Sequence, residues 1–549
     1  MTGEPLLGLI MHYGLTLSAI TRRTEALFAH RPIVSRRPDG TLHRTNYREC
    51  LERARRLSVA LERSGVKPGD RVATLCWNHY RHLEAYFAIP LCGGVLHTLN
   101  PRLSVQDIAY IINHADDSVV IVDDVLWGLW ERIRPEVKPR HVIVWGHGQP
   151  APEGAIDYEQ LIESERPDFS PPRIDENDAA GLCYTSGTTG HPKGVLYSHR
   201  ALVVHSLMSA LQDSIGLAKS DVVLPVVPMF HVNAWGLPFT ATMVGAKQVF
   251  PGPHLDPVSV LNLLADEGVT LTAGVPTVWL AILDQLDCNP GKWDLKALHT
   301  MIVGGSAAPQ AMIEGFEKRH GLRVIHAWGM SEMSPIGAIC KPGPRAARLP
   351  DSERFRLRAT QGTAVPFVDI RAVGDRGEVP WDGKSMGELH VRGPCVARSY
   401  FRNPAEEDKF TTDGWFRTGD VVTIDPEGYV RITDRSKDLI KSGGEWISSV
   451  DVENALMGHP AVKEAAVVAV PHEKWSERPV ACVVLKDGAK ASDEELRAWL
   501  EPRFAKFWLP DAFVFLQQIP RTATGKFLKA ALRDQLRDFR LPHAEKAPC

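Results

Sequence analysis

The sequence of 549 residues contains no run of about 18 apolar residues, the length with which a helix crosses a bilayer. We therefore expect no transmembrane segment. Its first five residues also lack a basic stretch followed by a long apolar one, which is the pattern of an export signal. Both absences favour a cytoplasmic protein.

An excess of basic residues is missing as well. Lysine and arginine together number 63 against 66 aspartates and glutamates, which gives a formal net charge of −3 at pH 7. Domains that bind nucleic acids usually carry clustered positive charge. We therefore expect no nucleic acid among the partners of this protein.

Closely spaced cysteines are also absent. The nine cysteines are scattered along the chain, and no two of them form a Cys-x-x-Cys pair. Disulfide frameworks and structural zinc sites both need cysteines in regularly spaced sets. The scatter predicts reduced thiols.

What is present is a globular composition, with 44% hydrophobic and 23% charged residues. A chain of this length exceeds what a single core holds and predicts two to four domains. Apolar runs alternate with amphipathic ones, which predicts strands at 71–77, 118–123, 269–275 and 300–303, and helices at 51–64 and 310–320. Such alternation is typical of an α/β fold with largely parallel sheets.

The pattern changes from about residue 365 to shorter strands and turns. Two further helices and two strands follow the polar stretch that begins at Asp434. They suffice for a small α+β unit. We therefore predict an N-terminal domain of residues 1–433 and a C-terminal domain of residues 434–549.

The segment 184–194, YTSGTTGHPKG, is the densest chemical motif. Glycine N–H groups can approach an anion closely, hydroxyls donate to phosphate oxygens or bind a hard cation, and the lysine adds a positive charge. The spacing is not that of a Walker A loop, because only two residues separate Gly187 from Gly190. The motif predicts a different polyphosphate loop, between an apolar run and a helix. The alternative is an ordinary polar connection.

Four further motifs carry chemistry: 326–332 (HAWGMSE), 414–420 (GWFRTGD), 437–445 (KDLIKSGGE) and 520–526 (PRTATGK). They offer an aromatic face, carboxylates and lysines on turns. A core tryptophan, a turn-capping aspartate and a solvated lysine are the ordinary alternatives for each motif alone. Ligands of parallel sheets bind at the carboxyl ends of strands, and we expect the motifs to meet in one crevice.

Taken together, the order and spacing of the five motifs resemble the adenylate-forming superfamily of acyl-CoA synthetases, luciferases and peptide-synthetase adenylation domains. The resemblance spans about residues 20–540. The segments 226–235 (VVPMFHVNAW) and 440–451 (IKSGGEWISSVD) are most similar to medium- and long-chain fatty-acyl-CoA synthetases. The resemblance implies a large N-terminal domain of several subdomains with mostly parallel sheets. It also implies a small mobile α+β domain that rotates about Asp434.

The resemblance also implies a two-step reaction. A carboxylate attacks the α-phosphate of ATP, pyrophosphate leaves, and the thiol of CoA then attacks the acyl-adenylate. ATP and CoA are the implied co-substrates, Mg²⁺ the implied cofactor and a medium- or long-chain fatty acid the implied substrate. Thr185 and Glu332 would hold Mg²⁺, and Lys526 would reach the α-phosphate. The implied catalytic residues are Lys526, Lys441, Glu332 and His231.

Further site residues follow from the same resemblance. Trp328 stands where relatives usually carry tyrosine, so stacking is kept and a phenol hydroxyl is lost. Gly443 and Gly444 would leave room for the pantetheine arm of CoA, and Trp235 would gate the acyl tunnel. The implied nucleotide-binding residues are Thr185, Ser186, Gly187, Thr188, Thr189, Gly190, Lys193, Gly304, Gly305, Ser306, Ala307, Ala308, Trp328, Gly329, Met330, Ser331, Asp420, Arg435, Lys437, Lys441 and Trp446.

Several alternatives stay open. An aryl, short-chain or thioether acid could replace the fatty acid, and a free-standing enzyme that loads a carrier protein would have the same motifs. A non-catalytic adenylate binder would have no chemical need for both Lys441 and Lys526. We expect a homodimer through the large domain, as in long-chain relatives. Peripheral membrane contact stays open, because a fatty acid partitions into bilayers.

Overall fold

The computed structural model describes residues 8–146, 150–166, 172–185, 191–344, 346–442, 445–472, 474–522, 526–537, 539 and 541. Part of the predicted phosphate loop, Ser186, Gly187, Thr188, Thr189 and Gly190, lies outside these residues. The same holds for the two glycines predicted to face CoA, Gly443 and Gly444.

Helices occur along the whole described chain. Their bounds are α1 Leu17–Phe28, α2 Tyr47–Arg63, α3 Tyr80–Leu91, α4 Val105–Ala115, α5 Trp127–Ile133, α6 Tyr158–Glu163, α7 His199–Ala210, α8 Val232–Trp235, α9 Leu237–Val244, α10 Pro257–Asp266, α11 Pro276–Cys288, α12 Gln310–His320, α13 Asp351–Arg358, α14 Ser449–Met457, α15 Asp493–Leu500 and α16 Lys529–Gln535. Of these, α8 is a single left-handed turn.

The strands form four sheets. Their bounds are β1 Pro32–Arg36, β2 Leu42–Asn46, β3 Arg71–Leu75, β4 Val95–Thr98, β5 Asp117–Asp123, β6 His141–Trp145, β7 Ile156–Asp157, β8 Ala179–Thr185, β9 Lys193–Ser198, β10 Val222–Pro225, β11 Lys247–Phe250, β12 Leu271–Gly274, β13 Thr300–Val303, β14 Val324–Gly329, β15 Ile336–Ile339, β16 Thr363–Ala364, β17 Asp369–Gly374, β18 Gly377–Glu378, β19 Gly387–Arg392, β20 Phe416–Ile424, β21 Val430–Arg435, β22 Ile440–Ser442, β23 Glu445–Ile447, β24 Val462–His472, β25 Ser476–Leu485 and β26 Ala512–Phe515.

Two large sheets make up the first part of the chain. One has seven strands in the order β7-β6-β5-β3-β4-β8-β9, and the other has nine in the order β16-β15-β14-β13-β12-β10-β11-β1-β2. Pairing is parallel through the middle of both and antiparallel only at their ends, at β9 in one and at β2, β15 and β16 in the other. Strands such as β5 and β13 are almost wholly buried, as expected for parallel strands covered by helices.

A five-stranded antiparallel sheet, β18-β17-β19-β20-β21, follows. The last sheet, β23-β22-β25-β24 with β26 beside β25, belongs with α14, α15 and α16. It has apolar clusters of its own, one of them centred on Ile440, Val467 and Leu500. The prediction of a large α/β part with mostly parallel sheets and a small C-terminal α+β part is confirmed.

One local prediction is wrong. The phosphate-loop motif does not lead from a strand into a helix, because β8 and β9 form an antiparallel pair that sets Thr185 opposite Lys193. Residues 193–198 form β9 and extend the sheet by one strand at its edge. Helix α7 begins only after Ser198, whose side chain accepts the N–H of Ala201 as its cap.

None of the helices in the described ranges combines the length and the apolar character that crossing a membrane requires.

Candidate functional site

The two described ends of the phosphate-loop motif meet at the mouth of the β8–β9 hairpin. The backbone N–H of Lys193 donates to Oγ1 of Thr185 at 3.4 Å. The lysine Nζ lies 2.5 Å from Oε2 of Glu406 and 5.3 Å from the centre of the Tyr400 ring. The motif therefore presents a hydroxyl and a paired cation on one side of the crevice.

Glu332 lies opposite this hairpin, in the turn that follows β14. Its side chain is buried, and Oε1 accepts the hydroxyl of Tyr400 at 2.5 Å. Burial and the charge of Glu332 raise the pKa of Tyr400 far above its usual range, so the phenol stays a donor. Tyr400 thus orients the carboxylate and also faces Lys193.

Tyr400 and Glu406 are site residues that the sequence analysis missed. Glu332 and Tyr400 are separated by 68 residues along the chain. Glu406 belongs to a one-turn segment, Pro404–Lys409, whose acidic composition resembles any exposed turn. The sequence carried no pattern that would have connected either residue with the phosphate loop.

The backbone around Glu332 is closely packed. A Cβ on Gly329 would lie 2.0 Å from the carbonyl oxygen of Pro335, so only glycine fits at the end of β14. The N–H of Met330 donates to the same oxygen at 3.0 Å, and the hydroxyl of Tyr197 donates to the carbonyl of Ser331 at 2.8 Å. These contacts fix the turn that presents Ser331 and Glu332.

The predicted nucleotide residues Trp328 and Asp420 are in direct contact. Nε1 of Trp328 donates to Oδ2 of Asp420 at 2.9 Å, and Nε of Arg435 lies 2.6 Å from Oδ1. Asp420 is only 1% exposed, so this pairing offsets the cost of burying its charge. Residues from β14, β20 and β21 thereby converge, as the sequence analysis expected.

Lys526 reaches this crevice from the C-terminal part of the chain. Its Cε lies 3.9 Å from the position that a Cβ on Gly305 would occupy. Burial and the neighbouring Arg435 lower the pKa of Lys526 to about 8, although Asp420 and Glu332 act in the opposite direction. The lysine therefore lies among the residues that were predicted for the nucleotide.

Two hydrogen bonds join Lys526 to Thr522, four residues earlier in the chain. The N–H of Thr522 donates to the carbonyl of Lys526 at 2.8 Å, and the N–H of Lys526 donates to Oγ1 of Thr522 at 3.2 Å. These two bonds hold Thr522 beside Lys526, so the chain turns back between these two residues. Residues 523–525, between them, lie outside the described part of the chain.

The left-handed turn α8 supplies the acyl side of the site. Val232, Asn233, Ala234 and Trp235 all have positive φ, between 45° and 58°. Such backbone costs roughly 1–2 kcal/mol per residue when it is not glycine, so the surrounding core must enforce it. The turn directs the Trp235 ring at the backbone of Gly304, where a Cβ would lie 3.1 Å from the indole.

His231 precedes this turn. Burial, helped by the positive charges of Lys526 and Arg102, lowers the pKa of His231 to about 3. The imidazole is therefore neutral near pH 7 and can donate or accept a hydrogen bond.

Two predicted residues, Lys441 and Trp446, are not brought into this crevice. Nζ of Lys441 lies 4.3 Å from the centre of the Trp446 ring, and the two residues pair across β22 and β23. Within the described ranges, neither makes a hydrogen bond, ion pair or ring contact with Glu332, Asp420 or Lys526. Burial lowers the pKa of Lys437, near Asp438 and Arg435.

The remaining glycine-rich segment follows β13. Gly304 and Ala308 are buried, whereas Ser306 is exposed toward solvent. A Cβ on Gly304 would lie 2.9 Å from the carbonyl oxygen of Ala327 on the neighbouring strand. This segment therefore lies against Trp235 and against the backbone of β14 at Ala327.

Two family models match the chain. The model described as AMP-binding enzyme matches residues 22–401, and the model described as AMP-binding enzyme C-terminal domain matches residues 451–526. The first match contains the phosphate-loop motif and Glu332. The second begins within α14 and ends at Lys526.

The curated proteins that are similar to the chain over nearly its whole length include two CoA ligases. A long-chain-fatty-acid–CoA ligase of Thermus thermophilus is 53% identical over 534 residues, covering 96% of this chain and 97% of the relative. A 3-methylmercaptopropionyl-CoA ligase of Ruegeria lacuscaerulensis is 45% identical over 542 residues, covering 97% of this chain and 99% of the relative.

The fold is also similar to that of a solved enzyme. The crystal structure of an anthranilate CoA ligase in complex with anthranoyl-AMP has a TM-score of 0.86 at 25% identity, covering 96% of this chain and 98% of the other.

Proposed function

The chain belongs to the family of AMP-binding enzymes, and from this membership we propose that it is an ATP-dependent acid–CoA ligase for medium- or long-chain fatty acids. It forms an acyl-adenylate with release of pyrophosphate and then transfers the acyl group to CoA with release of AMP. The observation that carries the proposal is the position of Lys526, a residue from the C-terminal part of the chain. Its Cε lies 3.9 Å from the position that a Cβ on Gly305 would occupy, and its charge interacts with those of Asp420 and Glu332.

The first step brings together two anions, the carboxylate of the acid and the triphosphate. It is accelerated by cations and donors placed where negative charge develops. Trp328 offers its face to the adenine, and Asp420, already oriented by two donors, accepts from the ribose hydroxyls. Lys526 places its ammonium group at the α-phosphate, and Lys193 moves from Glu406 to the outer phosphates.

The residues present fit Mg²⁺. Magnesium in phosphoryl-transfer sites is usually held by one or two carboxylates together with substrate phosphates. Glu332 would provide the carboxylate, oriented by Tyr400 through Oε1, and Thr185 would provide a hydroxyl. When bound, the ion neutralises phosphate charge.

No general base is needed for the acid, which is already ionised near pH 7. The neutral His231 instead suits a hydrogen bond to the carboxylate or to a neighbouring backbone group. Trp235 closes the apolar side, and its displacement would admit the chain of a fatty acid. Each buried methylene then adds roughly 0.8 kcal/mol of binding free energy.

We assign the second step to a different pose of residues 434–549 relative to residues 1–433. Rotation about Asp434 would withdraw Lys526 and bring Lys441, Gly443, Gly444 and Trp446 toward the adenylate. In the pose described here Lys526 is in the crevice, which corresponds to the first step. Such an exchange gates the two steps by one conformational change.

A thioether acid is the second candidate substrate. It is favoured by the Ruegeria relative, which is named for 3-methylmercaptopropionate and is 45% identical. That acid is short and carries a sulfur atom in place of a methylene. It would fill less of an apolar tunnel than octanoate.

We also propose a homodimer in the cytoplasm. Leu9, Ile10, Met11 and Tyr13 are exposed, and an apolar segment of this kind is more stable against a partner surface than in water. The eight described cysteines are all unpaired, which suits a reducing compartment. Light scattering of the purified protein tests the dimer directly.

The decisive experiment measures pyrophosphate release and thioester formation with acids from acetate to palmitate, with 3-methylmercaptopropionate and with benzoate. We expect release with octanoate to palmitate and thioester only when CoA is present. Lys526→Ala should slow adenylation by roughly a hundredfold or more, since an oriented charge at the reacting phosphate is removed. Lys296→Ala, a change at a 92% exposed side chain, is the control.

Two outcomes would contradict the proposal. Release of pyrophosphate with benzoate or acetate alone would exclude the fatty-acid assignment and leave the ligase chemistry intact. An absence of release with every acid would exclude the ligase chemistry as well.

A further inference from the structure

A buried polar cluster in the C-terminal part of the chain has no role in the mechanism above. Lys529 is the first residue of α16 and follows Lys526 by three positions. Its Nζ lies 2.6 Å from Oε1 of Glu453 and also contacts Oγ of Ser449. The side chains of Lys529 and Glu453 are only 11% and 8% exposed, so the ion pair is almost dry.

This cluster is connected to the residue at the proposed hinge. The N–H of Ser449 donates to Oδ2 of Asp434 at 2.9 Å, and Oδ1 accepts the N–H of Arg435 at 2.8 Å. Arg435 in turn binds Asp420 in the nucleotide crevice. A continuous set of polar contacts therefore joins Lys529 to Asp434 and ends at the crevice.

The C-terminal end of segment 520–528 is held by these contacts, because Lys529 follows it directly. The N-terminal end of the segment is fixed to β24, where Arg521 lies 2.7 Å from Glu464. The N–H of Leu528 donates to the carbonyl of Pro520 at 2.8 Å and closes the base of the turn. Lys529 comes next in the chain, so its ion pair fixes the point at which this segment enters α16.

Stability alone does not account for this buried ion pair. Burying an ion pair is often no better for stability than burying apolar side chains of similar volume. Burial alone would lower the pKa of Lys529, but the carboxylates of Glu453 and Asp434 raise it, so the ammonium group is kept. Directional contacts to two partners, Glu453 and Ser449, fix the position of the ammonium group more narrowly than apolar packing does.

We propose that Lys529 is a positioning residue that ties the turn carrying Lys526 to the hinge at Asp434 through Glu453 and Ser449. The turn and the hinge then move as one rigid unit, and Lys526 arrives at the α-phosphate in a fixed orientation. This inference rests on the proposed function, because it takes Lys526 as the lysine of adenylation and Asp434 as the hinge.

The two half-reactions separate this role from a purely structural one. Adenylation needs Lys526 in the crevice, whereas thioester formation from an acyl-adenylate that is supplied ready-made does not. Loss of Lys529 should therefore slow adenylation by roughly ten- to a hundredfold, the effect of a misplacement of about 1 Å. Thioester formation from synthetic acyl-adenylate and CoA should stay within about twofold of wild type.

The test uses the full-length Lys529→Met, Lys529→Arg and Glu453→Gln variants, with Lys296→Met as the control at an exposed lysine. Single-turnover pyrophosphate release reports adenylation, and the ready-made adenylate reports the second half-reaction. We expect Lys529→Arg to restore most of the adenylation rate, since arginine can still bind Glu453. Glu453→Gln keeps the shape of the side chain and serves if Lys529→Met does not fold.

The outcomes are distinct. Slow adenylation with near-normal thioester formation supports the inference. An equal loss of rate in both half-reactions, or no loss in either, overturns the inference. The proposed function is then still supported by the results for wild type and Lys526→Ala. A wild type that forms no adenylate overturns the proposed function and this inference with it.

Discussion

At the scale of single residues, Trp328 shows what the sequence could and could not provide. Its motif predicted an aromatic face for a base, and the substitution of tyrosine by tryptophan suggested only the loss of a hydroxyl. In the structure the indole N–H donates to the buried Asp420. The tryptophan therefore also orients the carboxylate that is proposed to bind ribose, which no property of the motif indicated.

Replacing Trp328 by phenylalanine tests this second role. The ring would still stack, but Oδ2 of Asp420 would lose its donor. We expect the KM for ATP to rise about five- to tenfold, as for loss of a hydrogen bond worth about 1 kcal/mol. The rate at saturating ATP should change little. A fall in that rate with an unchanged KM would contradict the assignment to ground-state binding.

Gly304 is a second residue whose identity is set by its neighbours. A Cβ there would lie 2.9 Å from the carbonyl of Ala327 and 3.1 Å from the Trp235 ring, so one of them must shift. Overpacking of this kind costs roughly 1–3 kcal/mol.

We therefore expect Gly304→Ala to lower kcat/KM for a fatty acid by about tenfold or more, measured as pyrophosphate release over a range of acid concentrations. Gly343→Ala is the matched control, because a Cβ on Gly343 would meet no atom within 4 Å. Equal activities of the two variants would show that the backbone at Gly304, between Ala327 and Trp235, tolerates a methyl group.

At the scale of elements, apolar runs were the reliable guide. The strand at 300–303 and the helix at 310–320 were predicted with the bounds that β13 and α12 have. The error at β9 arose because a lysine and glycine at its start resemble a loop, whereas pairing with β8 makes it a strand. Tertiary pairing overrides local preference in such cases.

The left-handed turn α8 could not be predicted from the sequence. Nothing about Val232 or Ala234 favours positive φ, and the turn exists because the core around it enforces this backbone. It ends at Gly236, with φ 71°, where a Cβ would lie 2.6 Å from Nδ1 of His205. Gly236 therefore connects the turn to α9 at a position that excludes other residues.

Gly236→Ala should be destabilising for both reasons, by about 2 kcal/mol or more. We expect a lower thermal midpoint together with a larger relative loss of activity for palmitate than for shorter acids, since the turn positions Trp235. Thermal unfolding and an acid panel measure the two effects. Gly268→Ala, at φ 60° with open space around its Cβ, controls for backbone strain alone. Equal effects of both changes would contradict a role of the turn in acid selection.

At the scale of the whole molecule, the fold class followed from the sequence, but the assembly of the site did not. Alternating strands and helices predict parallel sheets, yet they do not reveal that β1 lies beside β11 in the nine-stranded sheet. They also do not predict that Lys526 lies beside Gly305 or that Tyr400 contacts Glu332. These contacts depend on strand order and on how segments distant in the sequence pack together.

The N-terminal part also contains several histidines that are kept neutral. Burial lowers the pKa of His82 and His231 to about 3, and that of His43, His199 and His205 to about 4. Buried carboxyls such as Glu84, whose pKa burial raises, act in the opposite direction. The contribution of one histidine is therefore measured best by comparing a single variant with wild type.

His205 is the clearest case, because Nε2 accepts the N–H of Ile336 at 3.3 Å and a proton there would break this bond. The folded pKa of about 4 lies below the usual value of 6.5, so the unfolded chain takes up a proton that the folded chain refuses. The stability from neutral His205 is complete above pH 6.5 and is lost as the pH falls to about 4. The loss approaches 1.4 kcal/mol per pH unit, roughly 3 kcal/mol in all.

His205→Gln removes this titration and keeps a side chain that can accept the bond. Urea transitions of wild type and variant at pH 7.5, 6, 5 and 4 measure the difference in stability, with the exposed His30→Gln as the control for loss of a histidine. We expect wild type to lose stability relative to His205→Gln at each step below pH 6.5. A difference that stays constant from pH 7.5 to 4 would show that His205 is protonated in the folded protein as readily as in the unfolded chain.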